Sequence, residues 1–343
     1  MPIDCLILSL PRILWTAQAV SAVRFVMKQL VVSEKNGQHT SSAAELRAEL
    51  ARNIAAHART TGEHATAIQG LTLYRRTSTS PCYPTTYQPS LNIFVQGKKR
   101  ITLGGTTYLC DGSTFLLSSV DLPVVSQIVE ATTELPLLSM LLKLDMAAVR
   151  EILSHAEFQT SSNPTETRGI AIGKTTIDLL EPCCRLVSLL DAPEDIPFLS
   201  SLTQREIVYR VLRGPQGARL RAIATLGDQS HRTAKAIAWL RSNYAKPLRL
   251  QELAEVASMG LSTLHHHFRA LTAMSPLQYQ KQLRLVAARE RMLIEGLDAA
   301  SAAFEVGYES PSQFNREYKR FFGQPPMRDI KTRRFSESKT VRH

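Results

Sequence analysis

Residues 303–326, AFEVGYESPSQFNREYKRFFGQPP, read as the end of one helix, a turn and a complete second helix. The first helix spans Leu297–Phe304, where Ala299, Ala302 and Ala303 are small enough for close packing. Val306-Gly307-Tyr308 is the turn, because glycine takes a positive φ without a Cβ clash. Ser310 suits the N-cap, and Pro311 suits the first helical position, where a missing N–H costs nothing. In the helix that runs on to Phe322, Phe314, Tyr318 and Phe321 share one face. Ser312, Gln313, Arg316, Lys319 and Arg320 share the other.

The same grammar occurs about fifty residues upstream. Leu250–Ala257 is a short amphipathic helix, Ser258-Met259-Gly260 a tight turn, and Leu261–Thr272 a second helix. Leu261, Leu264, Phe268 and Leu271 form its apolar face; Ser262, His265, His266 and Arg269 form its polar one. Arg232–Tyr244 is a preceding helix, and Pro276–Glu295 a longer helix that can hold the two units in fixed relation. Two helix-turn-helix units point to double-stranded DNA, with the second helix of each in a major groove, about one DNA turn (~34 Å) apart. Arg316 suits guanine O6/N7 and Gln313 an adenine edge, with Ser312, Ser262, His265 and His266 as further base-contact candidates. Arg269, Arg284, Lys319 and Arg320 suit phosphates, which position the protein without specifying sequence. His265, His266 and His267 point about 100° apart on a helix, so they cannot share one metal ion; no metal or cofactor is expected.

Charge supports this division. The 343 residues carry a net charge of +11, and residues 230–343 hold nineteen Lys and Arg against ten Asp and Glu. The basic excess therefore sits almost wholly in the last third, as an anionic partner of that part requires. No stretch is long and apolar enough to span a membrane. The five cysteines (Cys5, Cys82, Cys110, Cys183 and Cys184) include no C-x-x-C pair, which fits a reducing cytoplasm.

Between Leu71 and Leu144 the pattern changes to short strands: Leu71–Arg75, Leu91–Gln96, Lys99–Leu103, Thr106–Leu109, Thr114–Ser118, Val124–Val129 and Leu137–Leu144. Gly97-Lys98, Gly104-Gly105 and Asp111-Gly112 separate some of them as turns. Strands so spaced form a small antiparallel barrel or sandwich. Helices follow at Met146–His155, Thr175–Leu190, Phe198–Arg213 and Gln216–Thr225. The stripe Leu179, Leu180, Cys183, Leu186, Val187 and Leu190 serves either to pack on the barrel or as a dimer seam. No histidine lies between residues 71 and 144, so a metal-dependent barrel enzyme is not expected. The aliphatic content of the strands predicts a mostly apolar cavity for a small neutral or weakly polar compound, with Cys82 or Cys110 as an alternative electrophile sensor.

Residues 3–32 are apolar for a terminus, and Ala17-Gln18-Ala19 has the form of a cleavage site. Asp4, the lack of an early Lys or Arg, and Pro11-Arg12 argue instead for a helical or poorly ordered extension, with Met27 an alternative start.

The strings LQELA (250–254), SPLQY (275–279), RLVAA (284–288) and, above all, residues 303–326 resemble the AraC/XylS-type DNA-binding domain. SLNIFVQGKKR (90–100), SVDLPVV (119–125) and RGPQGARLR (213–221) resemble the N-terminal domain of one AraC-type subgroup. The resemblance implies an α+β chain: a cupin-like antiparallel β-barrel with a helical extension, then an all-α domain with two helix-turn-helix units. The expected divisions are an extension at 1–42, an effector-binding or dimerisation domain at 43–226, the DNA-binding domain at 230–334 and a basic tail at 335–343. It further implies a transcription regulator, not an enzyme, acting beside RNA polymerase, answering to a small organic effector and forming a homodimer. Two departures stand out: Gly260 replaces the usual capping serine, and His266 stands where arginine is common, which weakens base discrimination by the first unit. An effector-independent architectural DNA-binding protein, or an alkyl-transfer repair enzyme fused to a DNA-binding module, are the alternatives.

Overall fold

The computed structural model describes residues 42–155 and 168–340, so the expected N-terminal extension lies almost wholly outside the described residues. Helix α1 occupies residues 42–57. Two antiparallel sheets follow. The six-stranded sheet has the order β1(Gly62–Ala65)-β2(Leu71–Arg76)-β9(Leu137–Lys143)-β4(Ser90–Gln96)-β7(Thr114–Ser118)-β10(Ile170–Lys174). The four-stranded sheet has the order β3(Tyr83–Tyr87)-β8(Leu122–Glu130)-β5(Lys98–Leu103)-β6(Thr106–Cys110). Both sheets keep free edges, so the β-domain is an open, cupin-like jelly roll and not a closed barrel.

Strand alternation decides what each face of the larger sheet touches. Leu71, Leu73, Leu91, Ile93, Leu138, Met140 and Leu142 point to one side, where α1, α3(Ile177–Ser188) and α4(Ile196–Arg213) cover them. The residues between them, including Thr72, Tyr74, Asn92 and Ser139, point to the space between the sheets. The stripe on α3 is consumed here: Leu179, Leu180, Cys183, Leu186 and Val187 are all buried in this first core, with Leu190 packed against it. Packing against the β-domain is therefore its role, and the dimer-seam reading of the stripe falls. Helices α2(Met146–His155) and α5(Gly217–Ala224) contribute Val149, Ile152, Leu220 and Ala224 to the same core.

A second core joins the β-domain to the helices that follow. Phe94, Ile101, Leu103, Leu116, Leu122 and Val124 come from the strands. Ile237 and Leu240 come from α6(Gln229–Ser242), Leu253 from α7(Leu250–Ala257), Phe268 from α8(Leu261–Thr272), and Tyr279 and Leu283 from α9(Pro276–Ile294). The first half of the basic module is thus seated on one end of the jelly roll. Polar contacts fix the seat: the Tyr279 hydroxyl donates to the Asp121 carbonyl at 2.9 Å, and Arg241 pairs with the Asp121 carboxylate. Gly169 N–H donates to Leu271 O at 2.9 Å, and Arg168 donates to Arg269 O at 2.8 Å. Both carbonyls belong to the last turn of α8: Arg269 O also accepts from the Ala273 N–H at 2.9 Å, and Leu271 O lies beyond the reach of the helix's own donors.

The third core is separate and wholly helical. Phe314 and Tyr318 of α11(Pro311–Phe322) pack with Leu285, Ala288 and Met292 of α9, Ala302 and Ala303 of α10(Ala299–Glu305), and Ile330 of α12(Pro326–Thr340). Asp329 ties these helices together. It accepts from Arg289 at 2.8 and 2.9 Å and from the Tyr318 hydroxyl at 2.8 Å.

Candidate nucleic-acid interface and interior cavity

The two helix-turn-helix units are built by one device. At the end of α7 the Met259 N–H reaches back to Ala254 O at 3.0 Å; at the end of α10 the Tyr308 N–H reaches back to Ala303 O at 2.9 Å. Each bond closes over a residue in the left-handed region, Ser258 at φ 50° and Gly307 at φ 90°. Gly307 is required for space as well as angle, since a Cβ there would stand 1.9 Å from Ala245 O. The helices that follow start differently. Ser310 caps α11 by accepting from Gln313 N–H at 3.4 Å, whereas Gly260 starts α8 with no side-chain cap.

On α11 the expected outward residues Ser312, Gln313, Arg316, Lys319 and Arg320 are all exposed. On α8 Ser262, His266 and Arg269 are exposed and His265 is half-buried. Leu261, expected on the apolar face, is 39% exposed. His267 is half-buried, and desolvation together with neighbouring His266 lowers its pKa. Elsewhere several arginines are neutralised: Arg185, Arg205, Arg210, Arg241, Arg289 and Arg291 each face a carboxylate within 4.0 Å. Among the described residues no carboxylate lies that close to Arg269, Arg316, Lys319 or Arg320. Their field is left for an external anion.

Arg284 does not belong with them. Its guanidinium donates to Tyr244 O at 2.7 Å, Gly307 O at 2.8 Å, Lys246 O at 2.9 Å and Ala245 O at 3.2 Å. Desolvation lowers its pKa, and it is committed to bridging the loop after α6 to the turn of the second unit. The expected phosphate contact is replaced by a strut, which sequence spacing does not reveal because the four carbonyls come from distant segments. Glu317 is a further residue that the sequence pattern does not single out. It accepts from Tyr308 at 2.8 Å, Lys281 at 3.0 Å and Gln313 at 3.1 Å. Burial alone would raise its pKa, but those three donors outweigh it and hold the carboxylate below its ordinary value. It anchors α11 to α9 and holds the Gln313 amide in position.

Between the sheets lies a cavity of about 380 Å³. Its wall is not the apolar one expected. Tyr74, Tyr83, Tyr87, Asn92, Lys99 and Ser139 face it, because the period-2 alternation sends most aliphatics of β2, β4 and β9 to the helices instead. Lys99 is absent from the sequence-based candidates, although it stands two residues before Ile101 and four before Leu103 on the inward face of β5. Cys110 does not line this space. It is buried, and burial pushes its thiol up to about 12, away from the reactive thiolate an electrophile sensor needs. Burial likewise pushes the Cys184 thiol up to about 12 and that of Cys183 well above its ordinary value.

An open jelly roll seated on a double helix-turn-helix module defines a two-domain regulator with a cavity in one part and unpaired cations on the other. Residues 67–219 match the AraC-type transcriptional regulator N-terminus family, and residues 253–331 match a helix-turn-helix domain family. With both in this order, the chain belongs to the AraC/XylS-type transcriptional regulators. It is 31% identical over 105 residues to the HTH-type transcriptional activator RhaS of Yersinia pestis (strain Pestoides F), a match covering 31% of this chain and 38% of that relative. In fold it is similar to ToxT of Vibrio cholerae O395 bound to (E)-4-(8-methylnaphthalen-1-yl)but-3-enoic acid. The TM-score is 0.53 at 11% identity, over 76% of this chain and 97% of that one. Wild-type ToxT of strain SCE256 with an unsaturated fatty acid bound gives a TM-score of 0.50 at 11% identity, over 76% and 93% of the two chains.

Proposed function

We propose that this protein is a sequence-specific DNA-binding transcription factor that regulates initiation in response to a small molecule held between its sheets. The carrying observation is the set of four cations, Arg269, Arg316, Lys319 and Arg320, left without carboxylate partners on the outward faces of α8 and α11. Arg316, Gln313 and Ser312 would read bases in one major groove, and Ser262, His265 and His266 would read them more weakly in the next. Arg269, Lys319 and Arg320 would meet phosphates. Site of action is the cytoplasm, beside RNA polymerase. A homodimer on paired half-sites would gain affinity through effective concentration.

Effector control is supported by the shared second core. Asp121, immediately before β8, receives Tyr279 and Arg241, so a ligand that shifts β8 shifts α6 and α9 with it. The alkyl-transfer alternative needs an activated thiolate, and Cys110, Cys183 and Cys184 are shifted the opposite way.

The test selects binding sites for the full chain from random duplexes, then measures them against single-base variants. Arg316→Ala should cost ~1–3 kcal/mol at one or two base pairs, while Lys319→Ala weakens all sequences alike. A uniform loss for Arg316→Ala would move it to the phosphate class. No enrichment of any sequence would favour the architectural reading.

A further inference from the structure

Three cationic side chains, Arg76, Lys99 and Lys143, line the cavity, and Lys99 stands among tyrosines on its wall. Lys99 lies with its ammonium 5.5 Å from the centroid of the Tyr87 ring, and among the described residues no carboxylate comes within 4.0 Å of it. Glu63, the acid at the cavity, is engaged by the Tyr74 hydroxyl. Arg76 is engaged too: it donates to Arg75 O at 3.2 Å and stands over the Tyr74 ring at 5.8 Å. Burial works against charge on Lys99, yet the phenols of Tyr87 and Tyr83 hold its pKa above the ordinary ammonium value, so it is a cation at neutral pH.

The second observation is independent. Asn92 faces the same cavity, is only 6% exposed, and its buried Oδ1 has no hydrogen-bond partner. A buried amide oxygen without a donor is costly, and a ligand in the cavity can supply that donor. We propose that the cavity takes a small hydroxylated monocarboxylate, its carboxylate on Lys99 and its hydroxyl donating to Asn92 Oδ1. The phenols of Tyr83 and Tyr87 flank the carboxylate end, while Ile128 and Leu141 give the ligand body an apolar wall. The Lys99 ammonium, held by the Tyr87 and Tyr83 phenols and facing no carboxylate among the described residues, supplies the charge for one carboxylate. A phosphate monoester, with its second charge, draws on arginine forks or a helix N-terminus; among the described residues no helix N-terminus lines the cavity, and its one guanidinium, Arg76, is turned onto Arg75 O and the Tyr74 ring. This assignment rests on the reading that the cavity is the effector site.

The test measures thermal unfolding and calorimetric titration of the full chain with mandelate, lactate and 3-hydroxybenzoate. Each is compared with its methyl ester and with the acid lacking the hydroxyl (phenylacetate, propionate and benzoate). At least one hydroxy acid should stabilise the chain, and its ester and its deoxy acid should each bind about tenfold more weakly or worse. Lys99→Met should weaken the acid by about tenfold or more, and Asn92→Asp should abolish its binding through like-charge repulsion. The ester comparison needs no substitution, so the proposal stays testable if a variant fails to fold. Esters, amines or neutral sugars binding as well as the acids would overturn the assigned class and leave the effector reading standing. Acid binding untouched by Lys99→Met would also overturn it. No stabilisation by any of these classes would remove both.

Discussion

Replacing Arg284 by Met keeps the aliphatic stem and removes a donor that reaches four carbonyls. Two of them, Tyr244 O and Lys246 O, also accept from the Gln280 amide at 2.9 and 2.7 Å and stay partnered. Gly307 O and Ala245 O lose their donor. A hydrogen bond from a charged group contributes ~1.5–3 kcal/mol, so two such losses amount to about 3–6 kcal/mol. The site is half-buried and water reaches part of it, which brings the expected cost down to ~2–4 kcal/mol. Urea unfolding of the full chain followed by circular dichroism measures this directly. Salt titration of binding to a random-sequence duplex supplies the contrast. A phosphate contact contributes ~0.9 to the slope of log K against log salt, whereas a strut contributes nothing. We expect a lowered unfolding midpoint with an unchanged slope at salt and temperature where the variant is folded. Unchanged stability with a slope reduced by about one would show that Arg284 meets DNA after all.

Gly307→Ala combines a left-handed φ with a Cβ 1.9 Å from Ala245 O, and should destabilise the second unit by ~3 kcal/mol or more, read as a large fall in melting temperature. Ser258→Gly at the equivalent turn should raise stability by ~1 kcal/mol, because serine bears left-handed strain there; an unchanged melting temperature would refute this. Iodoacetamide on the native chain at pH 8 should label Cys82, which is exposed, and leave Cys110, Cys183 and Cys184 unmodified by mass spectrometry. Glu317, whose native pKa lies below its ordinary 4.5, stabilises the fold fully above that value, and the contribution is lost as pH falls through the lower native pKa. Glu317→Gln should therefore be less stable at pH 7 and lose less between pH 5 and pH 3 than the unaltered chain; parallel acid titrations would contradict the assignment.

Local chemistry makes the DNA-binding module legible in the sequence. Leu250–Ala257 and Leu261–Thr272 have the bounds their periodicity predicts, and Ser310-Pro311 starts α11 as cap and first residue. These signals lie within a few residues of one another, so propensity, capping and helical period suffice. Three strands are not legible, for equally local reasons. The strand β1 (GEHA) has no aliphatic residue larger than alanine, β3 contains Pro84 at a sheet edge, and β10 is interrupted by Gly173, where a Cβ would strike the Phe115 ring at 2.4 Å.

The sequence by itself therefore determined the order of the two domains, the paired helix-turn-helix units and the outward cations of α11. Only the tertiary structure decided which side chains were free to act. It turned Arg284 into a strut by gathering carbonyls of the loop after α6 and of the second turn around it, spent the α3 stripe on the first core, and seated α8 and α9 on the jelly roll. It also reversed the expected character of the cavity. Period 2 states that neighbouring residues point apart, but not which side meets helices and which meets the other sheet. That choice belongs to the packing of α1, α3 and α4, which cover the aliphatic face and leave Tyr74, Asn92 and Lys99 facing inward.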